Sequence, residues 1–110
     1  MKLIKSIVRP NKVDDVKDAL ERISVSGMTV TEFRGHGRQK GHTAIYRGKE
    51  YDVSLLPKME IEVVVPDHLV DDAVAAIITA ARTGEIGDGR VFVIPVEQSY
   101  RIRTGERSEL

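Results

Sequence analysis

The stretch "MEIEVVVPDHLVDDAVAAIITAARTG", residues 59–84, decides the fold because it contains two different periodicities. Its opening part alternates apolar side chains with glutamates and ends in valines, which predicts a β-strand over residues 59–65. Pro66 then interrupts the strand, and apolar residues recur at intervals of three and four as far as Ala81, which predicts an amphipathic helix. Gly84 lies just beyond, where a helix end commonly uses glycine. A strand therefore leads directly into a helix that needs a sheet to cover.

An equivalent unit precedes this one in the chain. Residues 3–9 predict a strand, Pro10 ends it, and Asn11 offers a preferred N-cap for a helix with one apolar face. Two more strands are predicted over residues 28–35 and 91–96, one after each helix. Two consecutive strand–helix–strand units predict an α+β fold of the ferredoxin-like βαββαβ type, with both helices on one face of the sheet.

The other face of this sheet is predicted to be partly apolar as well. In the first strand Ile4 and Val8 lie on one face, whereas Leu3 and Ile7 lie on the other. The fourth strand carries apolar side chains on both of its faces. A sheet with apolar residues on both faces favours a second cover. We therefore expect self-association through the helix-free face.

Length and composition exclude several classes of protein. The 110 residues suit one domain, and 17 basic residues balance 17 acidic ones, so no basic excess favours nucleic acid or an anionic membrane. The absence of cysteine excludes disulfides, thiolate zinc sites and cysteine nucleophiles. The short apolar run after Met1 does not have the length of a signal peptide or a membrane span, so we expect a cytoplasmic protein.

Residues 37–58 form a long polar stretch between the second and third strands. A loop of about twenty residues without its own structure is uncommon in a small domain and is usually functional. Three interpretations remain open from the residues alone. The loop is disordered, or residues 42–46 pair with 51–55 in a hairpin, or Tyr46 and Tyr51 help it to dock on a partner.

A glycine-rich segment, residues 82–90, is a candidate anion site, and we call it the glycine loop. Gly84, Gly87 and Gly89 surround Asp88, and a backbone without Cβ atoms can present N–H groups to an anion. The loop follows the end of a helix, where the dipole is negative, so phosphate also needs cations. The available arginines are Arg82, Arg90, Arg101 and Arg103, and the last two project to one side if the tail is extended. A plain helix-to-strand turn remains the alternative.

The sequence offers no specific catalytic or zinc-binding pattern. The three histidines, His36, His42 and His68, have no helical ligand spacing. No nucleophile, base and orienting group can be assembled from the residues.

Five motifs together resemble one family over nearly the whole chain. They are "GHGRQKG" at 35–41, "YRGKEY" at 46–51, "LPK" at 56–58, "ARTGEIGDGRVFV" at 81–93 and "RIRTGE" at 101–106. In this order and spacing they resemble the P-II nitrogen-regulatory signal-transduction proteins. The resemblance implies a single domain over residues 1–110 that forms a homotrimer, with ATP or ADP in the clefts between subunits. It also implies an effector loop over residues 37–56 and a C-terminal tail over 99–110.

The resemblance implies two adjoining ligand sites. Nucleotide-binding residues carried over from the family are Thr29, Gly35, Gly37, Arg38, Glu62, Val64, Gly87, Asp88, Gly89, Arg90, Arg101 and Arg103. The site for 2-oxoglutarate would use Gln39, Gly37, Gly41 and Lys58, with the Gln39 amide oxygen on a magnesium ion that the nucleotide also binds. Magnesium prefers such hard oxygen ligands, and a lysine suits a carboxylate.

The resemblance also implies an output. The effector loop would engage an ammonium transporter channel at the membrane surface, with Arg47 as a plug, and nitrogen-metabolism enzymes. Tyr51 would be the residue that a uridylyltransferase modifies. The protein would be a regulatory binding protein and not an enzyme, reversibly membrane-associated through the channel.

Some positions depart from the family pattern. Arg90 replaces an expected lysine, which changes the donor geometry. Asn11 replaces an aromatic residue, Ala44 replaces a frequent glutamate, and Lys49 replaces a serine that is phosphorylated in one branch of the family.

Three other functions share parts of the pattern. RNA-recognition domains have the same βαββαβ order, but the strands "LIKSIVR" at 3–9 and "KMEIEVVV" at 58–65 carry no aromatic residue on which bases could stack. A slow ATP-hydrolysing enzyme would need a group that positions water. A trimeric metal-tolerance protein of the same topology would leave the glycine motifs unexplained.

Overall fold

A computed structural model of the chain describes residues 1–35, 43–46, 49–52 and 56–109, with only the backbone described at 43–46 and 49–52. This part of the chain contains six strands and two helices. The strands are β1 (Lys2–Val8), β2 (Thr29–Gly35), β3 (Thr43–Tyr46), β4 (Lys49–Asp52), β5 (Leu56–Val65) and β6 (Arg90–Pro95), and the helices are α1 (Val13–Arg22) and α2 (Val70–Ala81).

The main sheet has four strands in the order β2-β5-β1-β6. All three neighbouring pairs are antiparallel, and each helix crosses between strands that are not adjacent in the sheet. This arrangement is the ferredoxin-like α+β fold, so the predicted fold class is confirmed. The predicted strand and helix positions agree with the structure to within a few residues.

The helices begin differently from the prediction at Asn11. Residues Pro10–Lys12 and Asp67–Leu69 form short 3-10 turns ahead of α1 and α2. The residue at the N-cap of α1 is Lys12, and no side chain caps either helix start. Backbone bonds from Lys12 N to Arg9 O and from Leu69 N to Pro66 O, each 3.0 Å, already close the turns. The prediction that Asn11 is the N-cap was therefore wrong, because the 3-10 turn already forms the backbone hydrogen bonds that a capping side chain would otherwise supply.

The core lies between the sheet and the two helices. The predicted apolar stripes face inward, since Val16 and Leu20 of α1 and Ala73 and Ile77 of α2 are buried. They pack against the buried side chains of the central strands, which are Ile4, Val8, Ile61, Val63 and Val65. Burial of this apolar surface is the main source of stability for the fold.

The helix-free face is apolar at its ends and charged between them. Leu3 and Ile7 of β1 point away from the helices, and the register places Phe92 and Ile94 of β6 on the same face. Phe92 and Ile94 are 40% and 38% exposed. Between these residues the Lys5 ammonium lies 3.4 Å from the Glu60 carboxylate. Apolar residues on both faces of β1 and β6 agree with the sequence, and association through this face stays a prediction.

The polar stretch contains a second, two-stranded sheet. Strands β3 and β4 pair antiparallel from Thr43↔Asp52 to Tyr46↔Lys49. The hairpin interpretation is therefore confirmed, but the expected pairing of residues 42–46 with 51–55 was wrong in register. The observed register leaves two residues, one of them a glycine, between the strands, which is a common length for a hairpin connection.

In the part of the chain that the structure describes, neither helix is long and apolar enough to cross a membrane.

Ile61→Ala tests the position of the core. Ile61 is fully buried between the sheet and the helices, so we expect the free energy of unfolding to fall by about 2 to 5 kcal/mol. Ile102→Ala is the matched control, because Ile102 is fully exposed and its loss leaves no cavity. Urea unfolding at one protein concentration measures both variants. Equal losses in the two variants would contradict the position of the core.

Candidate functional site

The glycine loop closes around the carboxylate of Asp88. Oxygen Oδ2 of Asp88 accepts hydrogen bonds from the backbone N–H groups of Thr83 and Gly84, both at 2.8 Å. Oxygen Oδ1 accepts a hydrogen bond from the Thr83 hydroxyl. The Gly84 amide, expected from sequence to face an external anion, thus binds an anion of the loop itself. The Thr83 and Gly84 amides are therefore already used by Asp88, and the amides from Gly87 onward are the ones left to consider for a ligand.

Two cations from the sheet hold the loop from behind. Arg9 donates from Nε to Asp88 Oδ1 at 3.2 Å and from Nη2 to the Ile86 carbonyl at 3.1 Å. Lys58 donates from Nζ to the Gly87 carbonyl at 2.8 Å, and only 7% of Lys58 is exposed. Arg9 follows Val8, whose partner in β5 is Met59, so Arg9 and Lys58 lie side by side at one end of the sheet.

Arg9 and Thr83 are functional-site residues that the sequence motifs did not indicate. Arg9 is 79 residues from Asp88 in the chain, so no local pattern connects them. A sequence signal for Thr83 was present, because a threonine at the start of a glycine-rich turn commonly donates to a nearby side chain or backbone acceptor.

The contacts of Asp88 fix its charge. The hydrogen bond from the Thr83 hydroxyl, together with the backbone N–H groups of Thr83 and Gly84 and with Arg9, holds the pKa of Asp88 well below its ordinary value. Asp88 is therefore a carboxylate acceptor and a poor candidate for a general base near neutral pH. Burial lowers the pKa of the Lys58 ammonium, Arg9 lowers it further, and Asp88 acts in the opposite direction.

Gly89 brings the loop against β1. It has φ of +110°, and a Cβ atom there would lie 1.7 Å from the Ile7 carbonyl oxygen. No other residue can follow this path, for reasons of both backbone conformation and space. Arg90 then begins β6 opposite Ile7. Arg82 and Arg90 line one cavity of about 300 Å³ together with Asp88 and Gly89, so two of the four predicted arginines lie at the loop.

The other predicted nucleotide residues lie at the opposite end of the same sheet face. Thr29 of β2 pairs with Glu62 of β5, and Val64 is two residues further along. These β5 residues are four to six positions from Lys58, which at the rise of a strand is roughly 13 to 20 Å. Gly35 pairs with Leu56, at the Lys58 end. One chain therefore carries two separate groups of site residues.

The C-terminal tail is folded back and not extended. Gly105 donates its N–H to the Arg101 carbonyl at 2.7 Å, Arg101 donates to the Glu106 carbonyl at 2.9 Å, and Tyr100 and Arg107 form a β-bridge. The prediction that Arg101 and Arg103 lie on an extended segment was wrong, because this turn, with Gly105 at φ of +72°, bends the chain between them. Both arginines are exposed.

The tail leaves the sheet at the end that carries Thr29 and Val64. Val96 N donates to the Met1 carbonyl at 3.2 Å, and Lys2 pairs with both Val65 and Pro95. The two tail arginines therefore start from the end of the sheet that is far from the glycine loop.

Several predicted residues lie outside the described residues. They are Gly37, Arg38, Gln39, Gly41 and Arg47, together with His36 and His42. Tyr51 belongs to β4, where only the backbone is described. Within the described ranges, no three His, Asp or Glu side chains come together as a metal site.

Gly89→Ala tests the close approach of the loop to β1. We expect it to destabilise the protein more than Gly84→Ala, because both positions have positive φ but only a Cβ at Gly89 meets another atom. The positive φ alone costs about 1 to 2 kcal/mol. Thermal unfolding of both variants gives the comparison. A melting temperature for Gly89→Ala equal to that of Gly84→Ala would be inconsistent with the observed path.

Asp88→Asn tests the charge at the centre of the loop. The pKa of Asp88 is lowered on folding, so its carboxylate stabilises the protein above its ordinary pKa of 3.8 and this stabilisation is lost as the pH falls below that value. We expect the variant to be less stable at pH 7 and to lose less stability between about pH 5 and pH 2. Asp18→Asn, on the exposed face of α1, is the charge-matched control in urea unfolding across this range. If the stability of Asp88→Asn changed with pH as steeply as that of the wild-type protein, the Asp88 carboxylate would not contribute to stability.

Known proteins match the chain over almost its whole length. The family model described as nitrogen regulatory protein P-II matches residues 1–106. The chain is 59% identical over 109 residues to a nitrogen regulatory protein P-II of Haemophilus influenzae, which covers 99% of this chain and 97% of that protein. It is 56% identical over 109 residues to nitrogen regulatory protein P-II 1 of Escherichia coli, with the same coverage.

A third relative, a nitrogen regulatory protein P-II of Azospirillum brasilense, is 58% identical over 107 residues, which are 97% of this chain and 96% of that protein. The match covers both helices, all four strands of the main sheet, the glycine loop and the tail arginines. The family resemblance that the sequence motifs indicated is thus confirmed, and the chain belongs to the P-II nitrogen regulatory protein family.

Proposed function

We propose that this protein is a non-enzymatic sensor that binds ATP or ADP between the subunits of a homotrimer and signals through its β3–β4 hairpin. Membership of the P-II family supports a role in nitrogen signal transduction. The second effector is 2-oxoglutarate, a small dicarboxylate. The protein would act in the cytoplasm and associate with the membrane surface when it binds an ammonium channel.

The observation that carries the proposal is the division of the site residues between two ends of one sheet face. Lys58 and the glycine loop are at one end, and Thr29, Glu62 and Val64 are at the other. Within one chain the two groups are separated by roughly 13 to 20 Å along β5. A neighbouring copy that places its Thr29 end beside this glycine loop completes the site, and repetition of the same contact closes a ring. The partly apolar helix-free face supports such an assembly.

Phosphate suits the glycine loop end of this site. The loop presents backbone that only glycine permits, with Arg82 and Arg90 beside it. Arg101 and Arg103 are exposed and start from the Thr29 end, so in a ring they would approach the glycine loop of a neighbour. Arginine binds phosphate oxygens through two parallel donors, which suits a polyphosphate better than a single ammonium does.

The second effector would bind beside Lys58. An ammonium has three donors, and the Gly87 carbonyl accepts one of them, so a carboxylate can take another. Magnesium would be held by the nucleotide phosphates and the Gln39 amide oxygen, with Gly37 and Gly41 near the keto acid. These three residues lie outside the described ranges, and their part rests on the family resemblance. When bound, the ion supplies a positive charge that both ligands share.

The hairpin is connected directly to the proposed site. Strand β2 ends at Gly35 and β5 begins at Leu56, and these two residues are paired at the Lys58 end of the sheet. Ligands that rearrange this end would shift the population of hairpin positions, which target proteins then read. Candidate targets are the ammonium channel, through Arg47, and nitrogen-metabolism enzymes, with Tyr51 as a site of uridylylation.

The contacts of Asp88 favour binding over hydrolysis. Both of its oxygens are used within the loop and its pKa is lowered, so it is badly placed to take a proton from water. The relatives are named as regulatory proteins. The alternative of a metal-tolerance protein is not supported by any contact among the described residues, and it leaves the glycine loop without a role.

Isothermal titration calorimetry with ATP, ADP and 2-oxoglutarate tests the proposal. We expect both nucleotides to bind, and 2-oxoglutarate to bind only when ATP and Mg²⁺ are present. Gln39→Ala should weaken 2-oxoglutarate binding at least tenfold, roughly the effect of losing one metal ligand or its support, and should leave ADP binding nearly intact. Lys40→Ala, a neighbour to which neither ligand is assigned, is the control.

Two results would count against the proposal. If neither ATP nor ADP bound, the proposed sensor function would be wrong. Equal losses for ADP and 2-oxoglutarate in Gln39→Ala would remove the coupling through the metal.

A further inference from the structure

Two consecutive carbonyl groups of the glycine loop point toward cations of the sheet. The Ile86 carbonyl accepts from Arg9 Nη2 at 3.1 Å, and the Gly87 carbonyl accepts from Lys58 Nζ at 2.8 Å. The two side chains lie next to each other at the end of β1 and near the start of β5. Both contacts are therefore made from one side of the loop, the side of the sheet.

These contacts determine which way the next two N–H groups point. The described peptide bonds are all trans, and in a trans peptide the carbonyl of one residue and the N–H of the next point in opposite directions. With the Ile86 carbonyl turned to Arg9, the N–H of Gly87 faces away from the sheet. With the Gly87 carbonyl turned to Lys58, the N–H of Asp88 does the same. Two successive N–H groups directed outward form the kind of concave donor surface that binds anions.

Arg9 makes a second contact that fixes the same segment. Its Nε donates to Asp88 Oδ1, whose carboxylate also binds Thr83 and Gly84 at the start of the loop. The guanidinium thus connects the start of the loop, Asp88 and the Ile86 carbonyl to the end of β1. Only about a fifth of the Arg9 side chain is exposed, at 21%, so this connection is only partly screened by solvent.

We propose that Arg9 is a positioning residue, which turns the Gly87 and Asp88 amides outward so that they bind the phosphates of a nucleotide. Arg9 itself lies behind the loop and does not touch the ligand. This inference rests on the proposed nucleotide site. It adds a residue for which neither the motifs nor the proposed contacts gave a role.

Arg9→Ala is the test, with ATP and adenosine as probes in titrations followed by the amide resonances of the labelled protein. Loss of a hydrogen bond to a charged group should weaken ATP binding about tenfold or more. Adenosine has no phosphate, so its affinity should stay unchanged. Arg9→Lys keeps a cation that can reach one of the two acceptors, and it should recover most of the ATP affinity. The Gly87 and Asp88 amide resonances of the free protein should shift in Arg9→Ala.

Arg22→Ala is the matched control, since it removes the same charge from an exposed position in the last turn of α1. It should bind ATP like the wild-type protein. An equal loss of ATP affinity in Arg22→Ala would show that the effect comes from net charge. An equal loss of adenosine affinity in Arg9→Ala would show that it comes from general destabilisation. Either result, or wild-type ATP affinity in Arg9→Ala, overturns the inference alone. Failure of the wild-type protein to bind ATP overturns the proposed function and the inference together.

Discussion

The carboxylate of Asp88 is the interaction on which the geometry of the candidate site depends. It accepts from the Thr83 backbone and hydroxyl, from the Gly84 amide and from Arg9, and so joins both ends of the glycine loop to the sheet. A glycine-rich loop has a large conformational entropy to lose, and a ligand that had to order it would bind less tightly. An internal anion with fixed donors orders the loop before any ligand arrives. The glycines can then allow the backbone to approach a neighbour closely while the loop stays ordered.

The sheet places a second constraint on the site. Residues along β5 are separated by a fixed rise, so Lys58 and Val64 of one chain are held roughly 20 Å apart. The α+β fold thus separates the loop end from the Thr29 end, and in the proposed ring a second copy would bring the two ends together. Binding at such a junction depends on assembly, and ligand binding in turn stabilises the assembly. A sensor built in this way can transmit occupancy between subunits without a large rearrangement of its core.

Much of the fold was predictable because it depends on local periodicity. The alternation in residues 59–65 and the spacing of Ala73 and Ile77 are properties of a few turns of chain, and the structure agrees with both. The failures concern competition between local options. A 3-10 turn displaced Asn11 from the N-cap, and a backbone hydrogen bond from Gly105 to Arg101 folds the tail segment on which an extended spacing of Arg101 and Arg103 had been considered.

Less of the candidate site was predictable, for a different physical reason. The glycines of residues 84–89 were recognisable, yet the need for Gly89 arises from the Ile7 carbonyl, more than eighty residues away in the chain. Arg9 was indistinguishable from any charged residue at a strand end. Pairing through the sheet decides both contacts, and a single sequence carries no record of that pairing. Motifs thus identified the glycines of the loop but not the residues that hold the loop in place.

A protein with no net charge can still concentrate positive charge in one place, and in this chain that place is the glycine loop. Arg9, Lys58, Arg82 and Arg90 lie around the glycine loop, and Asp88 is the carboxylate among them. If Asp88 were unpaired, it would repel a phosphate at short range. Arg9 neutralises it at 3.2 Å, which leaves the remaining cations and the outward amides to set the local field. A field of this kind acts at the loop, whereas an extended polyanion such as a nucleic acid is bound by a broad basic surface. The field at the loop is thus decided by where the charges are paired and not by how many the chain carries.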